Sequence, residues 1–291
     1  MDITLIFLIG IFGLFVGSFL NVIIYRLHAG EQFLRGRSHC PHCGHTLSWY
    51  ELIPLASFAL QRGKCRSCHK AISWQYPLVE LATGIVFAFS IWHISSKLDF
   101  FSQSVPYLLS TIFYLLVISG LIVIFVYDLK NYIIPDKILI FLIVTVFVAQ
   151  LFGIPNGLAI SHLGIENFGF DWSLVIGHWD FGTAAKSIIS GIIAALPFFG
   201  IVFFSKGAWM GLGDVKFAFF MGMLLGAPGA FLAIFFAVIL GAIIGVALIA
   251  AGKKGLKSEI PFGPFLIVGT FVSLFYGNDI WHFYMRMLGV E

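Results

Sequence analysis

Charge is what this chain lacks. Lys, Arg, Asp and Glu make up only 11% of its 291 residues, against 59% hydrophobic residues, and the mean hydropathy is +0.98. That balance excludes an ordinary soluble domain and reads as a polytopic membrane protein. No basic stretch precedes the first apolar run, Ile3 to Tyr25, and no small-residue cleavage site closes it. The run is therefore expected to be a retained helix, not a removed signal peptide. Cysteine is scarce too: the chain has four, all between Cys40 and Cys68. Their grouping in two CxxC pairs favours a metal over disulfides, and a reducing side of the membrane. No Ser/His or Cys/His arrangement offers a nucleophile, no glycine-rich nucleotide loop is present, and no internal repeat or low-complexity tract stands out. No nucleic-acid partner is expected.

What is there is a series of apolar runs. After a polar segment from about Arg26 to Gln75, they fall at roughly 77 to 95, 106 to 127, 137 to 153, 186 to 204, 215 to 227, 229 to 251 and 264 to 284. With the first helix this predicts about eight spans in the lipid bilayer, most of them near the roughly 20 residues a bilayer requires. The expected fold class is an all-α polytopic membrane protein with a small zinc-binding cytoplasmic domain between the first and second helices. Its parts would be the first helix (1–25), the four-cysteine domain (26–76) and a membrane domain (77–291). Fourteen of the seventeen Lys and Arg residues fall in alternate loops, so the positive-inside rule puts the cysteine segment and the loops after the third and fifth helices in the cytoplasm. Both termini then face outward. The outer segment 153 to 185 carries Glu166, Asp171 and Asp180 without a Lys or Arg, and no role is assigned to it.

Cys40-Pro41-His42-Cys43 and Cys65-Arg66-Ser67-Cys68 are separated by 21 residues. Four thiolates at this spacing can close a tetrahedral zinc site with no open position for catalysis. His39, His42, His45 and His69 crowd the same turns, as solvated loop residues or substitute ligands. Such a small polar segment cannot build much of a core alone, so the metal is expected to staple it. Around the pairs lie Trp49, Tyr50, Glu51, Leu52, Ile53, Pro54, Trp74, Tyr76 and Glu80. This aromatic surface with two acids suits a flat ligand or a lipid interface, and the interface is the safer reading.

Two carboxylates stand at membrane edges. Asp128 closes the run ending Ile124-Phe125-Val126-Tyr127, and Asp214 opens Val215-Lys216-Phe217-Ala218-Phe219. Ionisable groups are expensive there and usually have a purpose. Asp128 lies at a helix C-terminus, where the macrodipole disfavours an anion, so it is read as functional. Asp214 follows Gly211-Leu212-Gly213, which permits a tight turn, and it can also N-cap the next helix. Asp136, after Pro135, is expected to cap the helix that begins at Lys137, a structural role. Lys130 and Lys216 are read as solvated anchors. If Asp128 and Asp214 converge, they suit acid-catalysed amide hydrolysis, one carboxylate holding a proton and the other activating water.

These pieces, taken in order, resemble the type IV prepilin peptidases. The matching stretches are Gly17-Ser18-Phe19-Leu20-Asn21-Val22-Ile23 with Tyr25-Arg26-Leu27; the two cysteine pairs; Glu51-Leu52-Ile53-Pro54; Tyr76-Pro77-Leu78-Val79-Glu80; Asp128-Leu129-Lys130 through Pro135-Asp136; Gly211-Leu212-Gly213-Asp214-Val215-Lys216; and Ile260-Pro261-Phe262-Gly263-Pro264. The resemblance implies that Asp128 and Asp214 form the catalytic dyad of a GxGD-type aspartyl protease. It would remove a short basic leader from prepilins and pseudopilins, after a glycine, at the cytoplasmic face of the bacterial inner membrane. It further implies methylation of the new N-terminus with S-adenosylmethionine, with Cys40, Cys43, Cys65 and Cys68 as zinc ligands and Glu51 and Glu80 in the methyl-donor site. The segment Ile260 to Pro264 is expected to line the substrate groove, because its prolines and glycine leave backbone groups free for an extended peptide. The competing readings are a peptidase that has lost methyl transfer and, in another class, a transporter with a zinc-stabilised cap.

Overall fold

The computed structural model describes residues 3–32, 36–97, 104–152, 175–176, 179–253, 255, 260–287 and 289. Its elements are α1 (Ile3–Ala29), a 3₁₀ turn (Trp49–Leu52), α2 (Ala56–Leu60), α3 (Gln75–Lys97), α4 (Ser104–Asn131), α5 (Asp136–Leu151), α6 (Phe181–Ser205), α7 (Leu212–Ala250) and α8 (Gly263–Met287). Val175–Ile176 pairs antiparallel with Trp179–Asp180. The rest of the outer segment up to Trp179, with His162, Glu166, Asp171 and His178, lies outside the described residues, as do Arg35, Lys254 and Lys257.

Five described helices are long and apolar enough to cross a bilayer, over Ile3–Ala29, Gln75–His93, Leu108–Asn131, Gly182–Ser205 and Leu212–Ala250. The chain is thus a multi-pass membrane protein. The two runs expected at 215 to 227 and 229 to 251 lie in one 39-residue element, α7, which breaks at Gly226.

Contacts divide the chain into two compact units, residues 1–102 with 114–123, and residues 103–113 with 124–291. In the first, α1 packs on α3. Gly13 and Gly17, four residues apart on one face of α1, meet Thr83, Gly84 and Glu80. A Cβ on Gly17 would stand 2.7 Å from the Glu80 Cα, and one on Gly13 would stand 2.9 Å from the Gly84 Cα. Lipid tails are as apolar as leucine, so close backbone approach through small residues is what holds membrane helices together. The buried Asn21 adds a polar clamp. Its Nδ2 donates to the Gly17 carbonyl (3.3 Å) and the Tyr76 carbonyl (3.1 Å), and its Oδ1 accepts from Gln75 Nε2 (3.2 Å).

In the second unit α7 lies against α6 and α8, again through small residues. A side chain on Gly222 would collide with the Ser190 carbonyl, and one on Gly269 with the Ala233 carbonyl. The break in α7 has two local causes. Gly226 adopts φ 73° and ψ 166°, and Pro228 has no N–H to donate. Backbone groups freed inside a membrane need partners. Two buried hydroxyls from the flanking helices bond the carbonyls around the break: Ser187 of α6 donates to Met223 (3.1 Å), and Ser273 of α8 donates to Gly229 (2.8 Å).

Candidate active site

All the residues of the carboxylate site belong to the second unit. Asp128 was expected at the end of its helix, and α4 ends three residues beyond it, at Asn131. Tyr132 then turns left-handed (φ 58°), and its N–H bonds the Asp128 carbonyl at 2.9 Å, closing the helix. Asp128 therefore occupies the last turn, and its side chain is buried, only 4% of the residue being exposed. The turn then returns through Ile134 to Pro135, the residue that caps α5.

Here the structure corrects one expectation. Asp136 is not the N-cap but the first residue inside α5, and no side-chain cap bond forms. Pro135, in extended conformation (φ −74°, ψ 110°), takes the N-cap position, so Asp136 already lies in the first helical turn. It accepts instead from Lys216 Nζ at 2.7 Å. Lys216 is thus an ion-pair partner and not merely a solvated anchor.

At the second stretch Gly211 is the N-cap, in extended conformation (φ −79°, ψ 153°), and Asp214 is the third residue of α7. Asp214 is half-buried, in the first turn, where the macrodipole favours an anion. Gly213 brings α7 close to the preceding turn: a Cβ there would stand 3.3 Å from the Ile134 Cβ. The carboxylates of Asp128 and Asp214 come near enough for their charges to act directly on one another. The sequence thus pointed to a pair, and folding brings the two residues together from positions 86 apart in the chain. A third residue, not singled out as part of the pair, touches it as well. The N–H of Gly263, at the head of α8, donates to the Asp128 carboxylate.

The cysteine site lies in the first unit. The four Sγ atoms all lie within 4.8 Å of one another, with Cys40 and Cys68 3.9 Å apart. A tetrahedral zinc with Zn–S bonds of about 2.3 Å needs sulfurs about 3.8 Å apart, so the donor set fits a metal ion with modest contraction. None of the four is in a disulfide.

The two pairs are built alike, which the sequence reading did not register as a repeat. Cys40 N–H bonds the His45 carbonyl, Gly44 N–H the Cys40 carbonyl and Leu47 N–H the Ser38 carbonyl. Cys65, His69 and Ile72 make the same three bonds, to Lys70, Cys65 and Gly63. Each member stands 25 residues after its counterpart, and so do the bridges His39 with Thr46 and Lys64 with Ala71. Gly44 (φ 70°) and His69 (φ 56°) take the same left-handed position. Besides the CxxC spacing, Leu47-Ser48-Trp49 and Ile72-Ser73-Trp74 repeat at the same 25-residue offset, a short signal that the sequence reading passed over; the bonds themselves are made by backbone.

Glu51 and Glu80 are both buried. Glu51 Oε2 accepts from the Ser48 N–H (2.9 Å) and lies 3.8 Å from His45 Nε2. Glu80 Oε2 accepts from the Leu55 N–H (2.8 Å), and the Ser18 hydroxyl also bonds this carboxylate. Trp49 and Trp74 are largely exposed nearby in the sequence, and Arg66 lies over the Tyr50 ring, 4.9 Å from its centroid.

With this geometry established, known proteins offer close parallels. The family model for the Bacterial Peptidase A24 N-terminal domain matches residues 11–94, and that for the Type IV leader peptidase family matches residues 115–246. The "Prepilin leader peptidase/N-methyltransferase" of Bacillus subtilis (strain 168) is 32% identical over 277 residues, covering 95% of this chain and 96% of its own length. This chain belongs to the type IV leader peptidase family. Proteins of the same name from Pseudomonas aeruginosa (30% over 302 residues, 96% of this chain and 93% of the relative) and Stutzerimonas stutzeri (29% over 299 residues, 95% and 92%) agree. No solved structure matches. Within this leader peptidase the cysteine site, Glu51 and Glu80 fall in the first matched region, and both aspartates fall in the second. Gly263 lies beyond it.

Proposed function

We propose that this chain removes the basic leader from prepilins and pseudopilins with Asp128 and Asp214 as its catalytic dyad, and then N-methylates the new N-terminal residue. The single observation that carries the first half is the meeting of these two carboxylates, one buried in the last turn of α4 and one in the first turn of α7. Two such neighbours hold one proton between them. The ionised partner takes a proton from water as its oxygen attacks the scissile carbonyl carbon. The protonated partner donates to the carbonyl oxygen. Collapse of the tetrahedral intermediate returns a proton to the leaving nitrogen and frees the new N-terminus.

The methyl donor is S-adenosylmethionine, which supplies an electrophilic methyl group to that amine. Glu51 and Glu80 belong to its site in this reading. Cys40, Cys43, Cys65 and Cys68 hold zinc, which has no open position and acts as a structural staple. The four-cysteine domain (26–76) then serves methylation, and residues 77–291 form the peptidase. Both activities face the cytoplasm at the inner membrane, where fourteen of the seventeen basic residues fall in loops on one side.

The test is cleavage by the purified protein in detergent of a prepilin with a basic leader and a Gly-Phe junction. Wild type should cut; Asp128→Asn and Asp214→Asn should not. Continued cleavage by either variant would remove that residue from the chemistry.

A further inference from the structure

Asp128 presents a problem that its own helix does not solve. An anion in the last turn of α4 faces the negative end of the macrodipole, and it is buried. A carboxylate in that position needs a donor to fix which way it points. Among the described residues the donor that meets it is the N–H of Gly263. This amide lies in the first turn of α8, where backbone N–H groups have no partner within the helix. The approach requires glycine. A Cβ at position 263 would land on Asp128 Oδ2 and stand 3.1 Å from its Cγ, with Ile134 Cδ1 3.5 Å away on the next side. Gly263 is itself buried, and the atom that must give way to a Cβ is the end of the Asp128 side chain, so the carboxylate is what turns aside. Ile134, also buried, packs on Gly213 as well. One side chain thus fills the gap between the glycine beside Asp214 and the glycine beside Asp128.

From this we infer that Gly263 is a positioning residue of the peptidase centre: its amide aims the Asp128 carboxylate toward Asp214, and its missing side chain is the slot that carboxylate occupies. The inference rests on the dyad reading and extends it. It also refines the expectation that Ile260 to Pro264 contacts substrate, because the Gly263 amide is already engaged by Asp128.

The experiment compares wild type, Gly263→Ala, Asp128→Asn and the control Gly200→Ala, all as full chains in detergent. A Cβ on Gly200 would meet nothing within 4 Å. The readouts are kcat and KM for prepilin cleavage, thermal stability, and methyl transfer to an already cleaved pilin. Gly263→Ala should lower kcat by about 100-fold, since misplacement of a reacting group by about 1 Å has that effect. KM should stay within about threefold, the signature of a loss confined to the transition state. Stability and methyl transfer should match the Gly200→Ala control. If Asp128→Asn is inactive while Gly263→Ala keeps its kcat, the inference is overturned and the dyad stands. Parallel loss of cleavage, methyl transfer and stability in Gly263→Ala would make it a scaffold residue and overturn the inference as well. If Asp128→Asn cleaves, the dyad reading fails and takes the inference with it.

Discussion

Lys216, two residues beyond Asp214, reaches from the first part of α7 to Asp136 at the head of α5, with Nζ 2.7 Å from Oδ1 across 80 positions of sequence. The two side chains are 50% and 57% exposed. A pair this open gains little in water, about 0 to 1 kcal/mol, and loses part of that to salt. It joins the first part of α7 to the head of α5 and turns the lysine toward α5.

Asp136 and Asp214 therefore differ in what their loss should do. Asp136→Asn is expected to lower stability by less than about 1 kcal/mol and to leave cleavage near wild type. Asp214→Asn is expected to abolish cleavage. Melting in detergent together with a cleavage assay checks both; loss of activity in Asp136→Asn would assign the ion pair a part in the chemistry.

Much of this arrangement was legible in the sequence. Among the described residues the seven long helices begin and end within a few residues of the apolar runs, two of which share α7, because lipid demands uninterrupted apolar length and the polar loops mark its ends. The aspartates were legible because charge at a membrane edge is rare. What could not be read came from backbone. The Asp136 cap failed by one residue because Pro135 took the position. The matched turns around Cys40 and Cys65 share hydrogen bonds made by backbone, and the side chains they have in common beyond the cysteines are few: Ser48 with Ser73, Trp49 with Trp74, and the apolar pair Leu47 with Ile72. Gly263 could be quoted as part of a motif, yet its approach to Asp128 depends on where α8 begins relative to α4, and no local pattern encodes that.

The cysteine site gives a prediction with a sign. The Cys65 thiol is held at about 7, below its ordinary 9.0, chiefly by the backbone amides of Cys68 and then Ser67. Cys43 goes the other way, up to about 11. The amide of His45 pulls it down, but desolvation and the thiols of Cys40, Cys68 and Cys65 together outweigh that pull. In the metal-free domain Cys65 thus favours folding above pH 9.0, an advantage lost as pH falls through about 7. Cys43 favours folding below pH 9.0, an advantage lost as pH rises through about 11. Zinc needs all four sulfurs as thiolates, so protons compete with it throughout this range. Release of zinc to a chelator should become faster and more complete as pH drops from about 8 to about 6. Removing the metal should unfold this segment and stop methyl transfer. Metal content measured beside both activities provides the check, and zinc retention that is indifferent to pH would argue against thiolate ligation.

The two buried glutamates allow chemistry to be separated from scaffolding. Each carboxylate is engaged by a backbone amide, that of Ser48 for Glu51 and that of Leu55 for Glu80. Leu55 itself holds an unusual positive φ (59°, with ψ −46°) as it donates this bond to Glu80. A glutamine at either position still offers a carbonyl oxygen to the same N–H. Glu51→Gln and Glu80→Gln should therefore fold with a loss of about 1 kcal/mol or less, whereas alanine leaves a part-buried amide without its carboxylate at a cost of about 1 kcal/mol or more. Methyl transfer is the discriminating readout. The donor is a sulfonium cation and the acceptor an amine that must shed a proton, so a carboxylate in that site acts through its charge, which glutamine lacks. Either glutamine variant should then lose methyl transfer by about tenfold or more while prepilin cleavage stays intact. Full methyl transfer in both glutamine variants, with loss only in the alanine variants, would make the two carboxylates hydrogen-bond acceptors for the backbone and nothing more.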